Sequence, residues 1–218
     1  MKLVIGNKNY SSWSQRAWLA MRVAGIPFEE VMIPLYQADS KTRQLAYSPA
    51  AKVPTLIDGA LTVWDSLAIC EYLAEKFPDR ELWPKDTAVR AHARSVTAEM
   101  HSGFGALRSN MPMNCRGSFP GQGHLPDALD DAARVAAIWS DCRSRYRAGG
   151  PFLFGKFGIA DAFYAPVVAR FITYGVVLPE VCGEYIATMR ALPAMQEWYA
   201  AGALEPERID ACEIYATP

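Results

Sequence analysis

The first 77 residues alternate short apolar runs with helical patterns, and this order restricts the possible folds more than any other feature. Apolar runs typical of short strands lie at 3–5, 28–33, 53–57 and 61–64. Helical patterns follow the first two runs, and a third begins at Asp65 and ends before Pro78. A helix between neighbouring strands predicts a parallel crossover, whereas the Asp58–Gly59 pair predicts an antiparallel hairpin. The expected order is therefore βαβαββα.

After a polar linker at 79–86 the strand pattern stops. Helical spacing is found at 87–110, 125–147 and 158–172, and shorter helices are expected near 182–191 and 193–202. We therefore predict an α/β domain at 1–78, the linker, and an all-α domain at 87–218. The polar tail 203–218 is expected either to wrap the surface or to be only partly ordered.

Hydroxyl side chains concentrate where the first strand meets the first helix, in Tyr10-Ser11-Ser12-Trp13-Ser14-Gln15-Arg16. The first amides of a helix lack intrahelical partners and carry the positive end of its dipole, so they favour a bound anion such as a thiolate. Ser12 with Gln15 fits a capping box, which would leave the Ser11 hydroxyl free for a ligand. The alternative is that all three serines are only turn and cap residues.

Composition excludes several classes of function. The 22 basic and 23 acidic residues give a net charge of -1, which offers nothing to attract nucleic acid or an anionic membrane. There is no apolar stretch long enough to cross a bilayer and no signal peptide, so a cytoplasmic location is expected. The five scattered cysteines and three histidines show no ligand spacing, and we therefore expect no metal.

Pro54 stands at the start of the third predicted strand, where it cannot donate to the sheet. A cis Val53–Pro54 bond would leave the backbone amide and carbonyl of Val53 facing outward. Only about one X–Pro bond in twenty is cis in folded proteins, and the local sequence does not decide between the two isomers.

Three segments together resemble the cytosolic glutathione transferases: Ser11-Ser12-Trp13-Ser14 with Arg16, Lys52 to Leu56 with Asp65 to Ile69, and Phe152 to Gly155 with Ile159 to Asp161. The likeness covers nearly the whole chain and is closest to the serine-type, zeta-like branch. It implies a thioredoxin-like N-terminal domain, an all-helical C-terminal domain, glutathione as co-substrate and a homodimer.

The resemblance also implies roles for individual residues. Ser11, with Ser12 beside it, would donate to the glutathione sulfur. A cis Pro54 would let the Val53 backbone pair with the cysteinyl part, and Lys52 would approach the glycine carboxylate. Asp65 and Ser66 would hold the γ-glutamyl end.

The sequence departs from the family pattern in two places. Gly158 stands where relatives usually have a Ser or Thr cap, and Trp13 stands where many zeta-like enzymes have cysteine. The second departure puts zeta-type isomerase activity in doubt. Tyr10 is a rival hydroxyl, since tyrosine serves other branches of the family.

The resulting hypothesis is an enzyme that activates the glutathione thiol for attack on small apolar electrophiles. Phe104, Arg108 and Met111, which follow the linker, are candidate walls of the electrophile pocket. The alternatives are a non-catalytic glutathione-binding or stress-response scaffold and a zeta-like isomerase.

Overall fold

A computed structural model describes residues 1–216, and its N-terminal part is a four-stranded sheet. The strands are β1 (Lys2–Ile5), β2 (Glu29–Met32), β3 (Thr55–Asp58) and β4 (Leu61–Trp64), in the order β2-β1-β3-β4. β1 and β2 are parallel, and the other two pairs are antiparallel. The predicted crossover and hairpin are both confirmed.

Three helices accompany the sheet: α1 (Ser12–Val23), α2 (Ser40–Leu45) and α3 (Ser66–Lys76). α1 contacts α3 and also reaches α7 in the helical part of the chain. Leu3 and Ile5 of β1 and Trp18 of α1 are fully buried, so the first strand and first helix form the centre of this half. Gly25 ends α1 with a φ of 65°, a conformation that glycine adopts without strain.

The remaining helices are α4 (Thr87–Ser102), α5 (Gly105–Asn110), α6 (Pro126–Tyr146), α7 (Ile159–Tyr174), α8 (Glu180–Ala191) and α9 (Pro193–Ala203). α7 contacts α1, α4 and α8, and nearly all of its residues are buried. This confirms the central position that its apolar sequence predicts. The fold is thus the expected thioredoxin-like and all-α combination, although the predicted domain limits stay a prediction and 217–218 lie outside the described residues.

The single helix predicted over 87–110 is wrong, because the chain breaks between α4 and α5. Gly103 is extended, and Phe104 has a left-handed φ of 62°. The Arg108 guanidinium donates to the carbonyls of Gly103 (2.9 Å) and Met100, which the break leaves without helical partners. A charged donor on the last carbonyls of a helix is a stabilising arrangement that residue spacing does not reveal.

Asp161 in the first turn of α7 is fully buried and closes the start of this helix. Its carboxylate accepts from the amides of Gly158 (2.9 Å) and Leu153 (3.0 Å) and from the Tyr185 hydroxyl (3.0 Å). Burial raises its pKa to about 6. Because Gly158 has no side chain, Asp161 supplies this capping interaction by itself.

Candidate active site

The serine corner is organised differently from the sequence prediction. Ser11, not Ser12, is the N-cap of α1: its hydroxyl oxygen accepts from the Ser14 amide (3.3 Å) and its proton is donated to the Ser14 hydroxyl (2.8 Å). Ser14 in turn accepts from the Gly6 amide (3.0 Å). The predicted capping box at Ser12 and Gln15 is wrong, because the helix begins one residue earlier than the box requires.

Ser12 and Tyr10 flank this cap in contrasting states. Within residues 1–216 no group bonds to the Ser12 hydroxyl, although the residue is largely buried. The Tyr10 hydroxyl instead donates to the Glu213 carboxylate (2.5 Å), and burial and that bond raise the pKa of Tyr10. Tyr10 is therefore committed within the protein, and it is a poorer candidate than Ser12 for donating to a thiolate.

A cavity of about 900 Å³ lies beside this corner. Its wall includes Lys52, Val53 and Pro54, and the Val53–Pro54 bond is cis, as the family resemblance implies. Asp65 and Ser66 also line it. The five residues expected to bind glutathione are thus brought together around one cavity.

Ser66, the first residue of α3, has a hydroxyl that is buried without a partner in the part of the chain that the structure describes. A buried hydroxyl without a hydrogen bond is costly, so its presence at a cavity wall indicates a position for a polar ligand group. Asp65 precedes it with a φ of 73° and caps α3 through the amides of Leu67 (2.8 Å) and Ala68 (3.4 Å).

His101 lies 3.4 Å from the free oxygen of Asp65. Burial lowers the pKa of His101, so its ring is neutral at pH 7. Behind this pair, Arg16 is fully buried between the rings of Trp13 (4.2 Å) and Phe163 (4.7 Å). Burial, followed by repulsion from Arg108 and Arg170, holds the Arg16 pKa well below its usual value.

A second cavity, of about 350 Å³, is lined by Ser11 and Ser12, which do not line the first. Tyr10, Ser11, Ser12, Arg108 and Arg170 are among its lining residues. Phe104 and Met111 are not among its lining residues, because both are buried in the helical core. Of the three predicted pocket walls, the structure therefore places only Arg108 at the cavity.

The sequence patterns did not identify several residues that line the cavities. Lys41 and Gln44 of α2 face the first cavity, and Arg170 of α7 and Cys212 of the tail face the second. A lysine on a short polar helix or an arginine inside an apolar one carries no local sign of a ligand. These residues are recruited by the packing of distant segments.

Within residues 1–216, no helix has the length and apolar content to cross a membrane, and no group of three His, Cys, Asp or Glu side chains is placed to hold a metal ion. The five cysteines are free thiols.

The site joins a cis-proline loop on a thioredoxin-like sheet to hydroxyls at the start of α1, and side chains of the helical half line the second cavity. Two family profiles match the chain: the glutathione S-transferase N-terminal domain over residues 10–76 and the C-terminal domain over residues 121–201. Glutathione S-transferase 1 from Dianthus caryophyllus is 35% identical over 182 residues, which cover 79% of this chain and 78% of that protein. The chain belongs to the glutathione S-transferase family.

Other relatives indicate that the chain is similar to the zeta class of the family. The probable maleylacetoacetate isomerase of Caenorhabditis elegans is 37% identical over 99 residues, which span 45% of this chain and 46% of that protein. A solved bacterial maleyl pyruvate isomerase, described as a zeta-class glutathione S-transferase, has a TM-score of 0.66 at 22% identity, covering 96% of this chain and all of that one. A glutathione transferase homolog from Burkholderia gl BGR1 with bound glutathione gives 0.70 at 24% identity, covering 93% and 97%. At these identities, the two structures show the shared fold.

Proposed function

We propose that this glutathione transferase holds the tripeptide in the first cavity and the electrophile in the second, with the sulfur at the serine corner between them. The two cavities share a wall formed by Trp13, Leu35, Tyr36 and Val53, and Ser11 and Ser12 line the second cavity. That shared wall is the observation that carries the proposal. A thiolate there would face both hydroxyls and an electrophile on its far side.

Three groups of the first cavity suit the polar ends of glutathione. The unpartnered Ser66 hydroxyl and the free oxygen of Asp65 fit the γ-glutamyl carboxylate and ammonium, respectively. Lys52, which lines this cavity, would offer a cation to the glycine carboxylate, and the backbone beside the cis bond at Val53 would pair with the cysteinyl residue.

Both serines are proposed thiolate donors. Ser12 has a free hydroxyl, and Ser11 can turn its proton to the sulfur because Ser14, 2.8 Å away, can donate to Ser11 in return. A free thiol with a pKa of about 8.5 is only a few per cent ionised at pH 7. Lowering that pKa by about two units corresponds to roughly 2.7 kcal/mol and makes the thiolate the major form.

The direct test is whether the protein accelerates glutathione consumption by a generic aryl halide, with Ser66→Ala as the site variant. Acceleration that falls in this variant supports the transferase. Glutathione binding without turnover of any aryl halide would favour the non-catalytic scaffold instead.

The second cavity also favours one alternative reaction, a zeta-like isomerisation of an anionic substrate. Arg108 and Arg170 line it, and no Asp or Glu does so among the residues described. Burial lowers the pKa of both, that of Arg170 only to about 10, and arginine keeps its charge at pH 7. A carboxylated, unsaturated substrate is the kind that such a wall would select. Measuring turnover of carboxylated and of neutral electrophiles decides between isomerisation of an anionic substrate and conjugation of an apolar one.

We propose, further, that the protein is cytoplasmic and a homodimer, as the family resemblance implies. Light scattering at micromolar concentration would show twice the chain mass of 24.1 kDa, and a monomer mass would overturn the dimer.

A further inference from the structure

The segment after α9 runs back across the loop between β1 and α1, and we refer to residues 205–216 as the C-terminal strap. The Glu205 carboxylate accepts from the backbone amides of Lys8 (2.6 Å) and Asn9 (3.0 Å). Gly202, at the end of α9, permits this approach, since a Cβ there would stand only 3.0 Å from the Asn9 nitrogen. The loop that leads into the serine corner is thus held by a segment nearly 200 residues away.

A buried latch fastens the other end of the strap. The Tyr10 hydroxyl donates to the Glu213 carboxylate (2.5 Å), and Arg116 donates to the Tyr10 hydroxyl (2.7 Å). The same guanidinium bonds the carbonyls of Glu205 (2.6 Å) and Glu207 (2.9 Å), and it lies 3.7 Å from Glu213. Glu213 is only 9% exposed, so its charge relies on these two partners.

The latch acts on the site through the backbone. Tyr10 directly precedes Ser11, and both line the second cavity together with Ala211 and Cys212 of the strap. Any movement of Tyr10 therefore shifts the Ser11 cap and the adjoining cavity wall together.

We propose that Glu213 is a positioning residue that, through Tyr10, holds the serine corner in the geometry needed to stabilise the thiolate. The proposal rests on the proposed function, because it takes the serine corner as the thiolate site. It adds a segment that the family motifs do not include.

Glu213→Gln tests this, because it removes the charge while keeping the side-chain shape. We expect the pKa of bound glutathione, followed by ultraviolet titration, to rise by at least half a unit and kcat to fall about five- to twentyfold. The glutathione Kd should stay within twofold, since Ser66 and Lys52 lie at the first cavity. Tyr10→Phe breaks the same bond and should produce the same changes, and the double variant should add little.

Glu99→Gln is the matched control, because it removes one carboxylate from an ion pair with Arg134 on the surface of the helical part. Hydrogen exchange of residues 8–12 gives a readout that needs no activity, and we expect it to be at least fivefold faster in Glu213→Gln than in the control. If the wild-type protein neither lowers the pKa of the glutathione thiol nor turns over an electrophile, the proposed function is wrong. Hydrogen exchange of residues 8–12 then tests, independently of activity, whether the strap holds the loop. The positioning role is overturned if both latch variants match the control in exchange and in thiol pKa, even with a lower melting temperature.

Discussion

The hydroxyls of Ser11 and Ser14 lie 2.8 Å apart, and this contact ties the helix cap to the proposed thiolate site. Removing the Ser11 hydroxyl would leave the Ser14 amide without its acceptor, whereas the Ser12 hydroxyl caps no amide of the helix. Neighbouring residues of the same type are therefore expected to respond differently to the same substitution.

Ser11→Ala should lower the free energy of unfolding by about 1 kcal/mol, the usual loss for a serine cap. Ser12→Ala should leave it within a few tenths of a kcal/mol. Both should raise the pKa of bound glutathione and cut turnover at pH 7, because each removes a proposed donor. Chemical denaturation measures the first effect and ultraviolet titration the second. A variant that keeps the wild-type thiol pKa would exclude its serine as a donor.

Ser66→Ala should weaken glutathione binding by roughly 1.5 to 3 kcal/mol, the range for a hydrogen bond to a charged group. The unliganded protein should lose no stability, since the Ser66 hydroxyl has no partner to lose within residues 1–216. Titration calorimetry paired with thermal unfolding separates the two. Ser95→Ala, at an exposed hydroxyl of α4, serves as the control, and equal affinities in the two variants would remove Ser66 from the site.

Asp161 should make stability depend on pH. Its folded pKa of about 6 lies above its ordinary value of 3.8, so the folded state binds the proton more tightly. Protonation of Asp161 therefore adds about 3 kcal/mol to the free energy of unfolding. This contribution is complete below about pH 4 and is lost as the pH rises through about 6. Asp161→Asn should flatten this part of the stability profile from denaturant unfolding at each pH. A variant profile parallel to wild type would show that another group titrates there.

Asp161→Ala should cost at least about 3 kcal/mol, because it leaves the buried amides of Gly158 and Leu153 and the Tyr185 hydroxyl without their acceptor. The glutathione affinity of the protein that still folds should be nearly unchanged, since Asp161 does not line the first cavity, where glutathione is proposed to bind. A large loss of affinity at wild-type stability would instead make Asp161 a site residue.

Arg108→Gln should raise KM for a carboxylated electrophile about tenfold, a change of roughly 1.4 kcal/mol. KM for a neutral aryl halide should change far less, and that substrate is the internal control. Some stability should also be lost, because Arg108 bonds the Gly103 carbonyl at the end of α4. Equal changes in KM for both substrates would point to a distorted cavity and away from charge recognition.

The order of the strands along the chain and most of the helices follow from local pattern. Alternation, turn residues and proline stops are short-range signals, whereas the binding roles of Val53, Asp65 and Ser66 are implied only by the family resemblance and stay predictions. The isomer of the bond before Pro54 came only from the family resemblance, since its local sequence fits either state.

The errors arise where a particular side-chain contact, and not residue spacing, decides the local structure. The break before α5 depends on Arg108 reaching back to carbonyls that residue spacing marks as helical. The cap at Ser11 depends on Ser14, which also accepts from the Gly6 amide. The sequence around Ser12 fits a capping box equally well, so the pattern alone selects the wrong serine. The tail's role depends on Glu205 and Glu213 finding partners near the start of the chain.

The strap also sets the order in which the protein can be completed during synthesis. Tyr10 and Glu213 are 203 residues apart, and a ribosome adding 5–20 residues per second needs roughly 10–40 s to pass from one to the other. Throughout that interval the sheet can form, but the loop that leads to the serines has no Glu205 to hold its amides. The nascent chain can thus form the first cavity long before the strap fixes the serine corner.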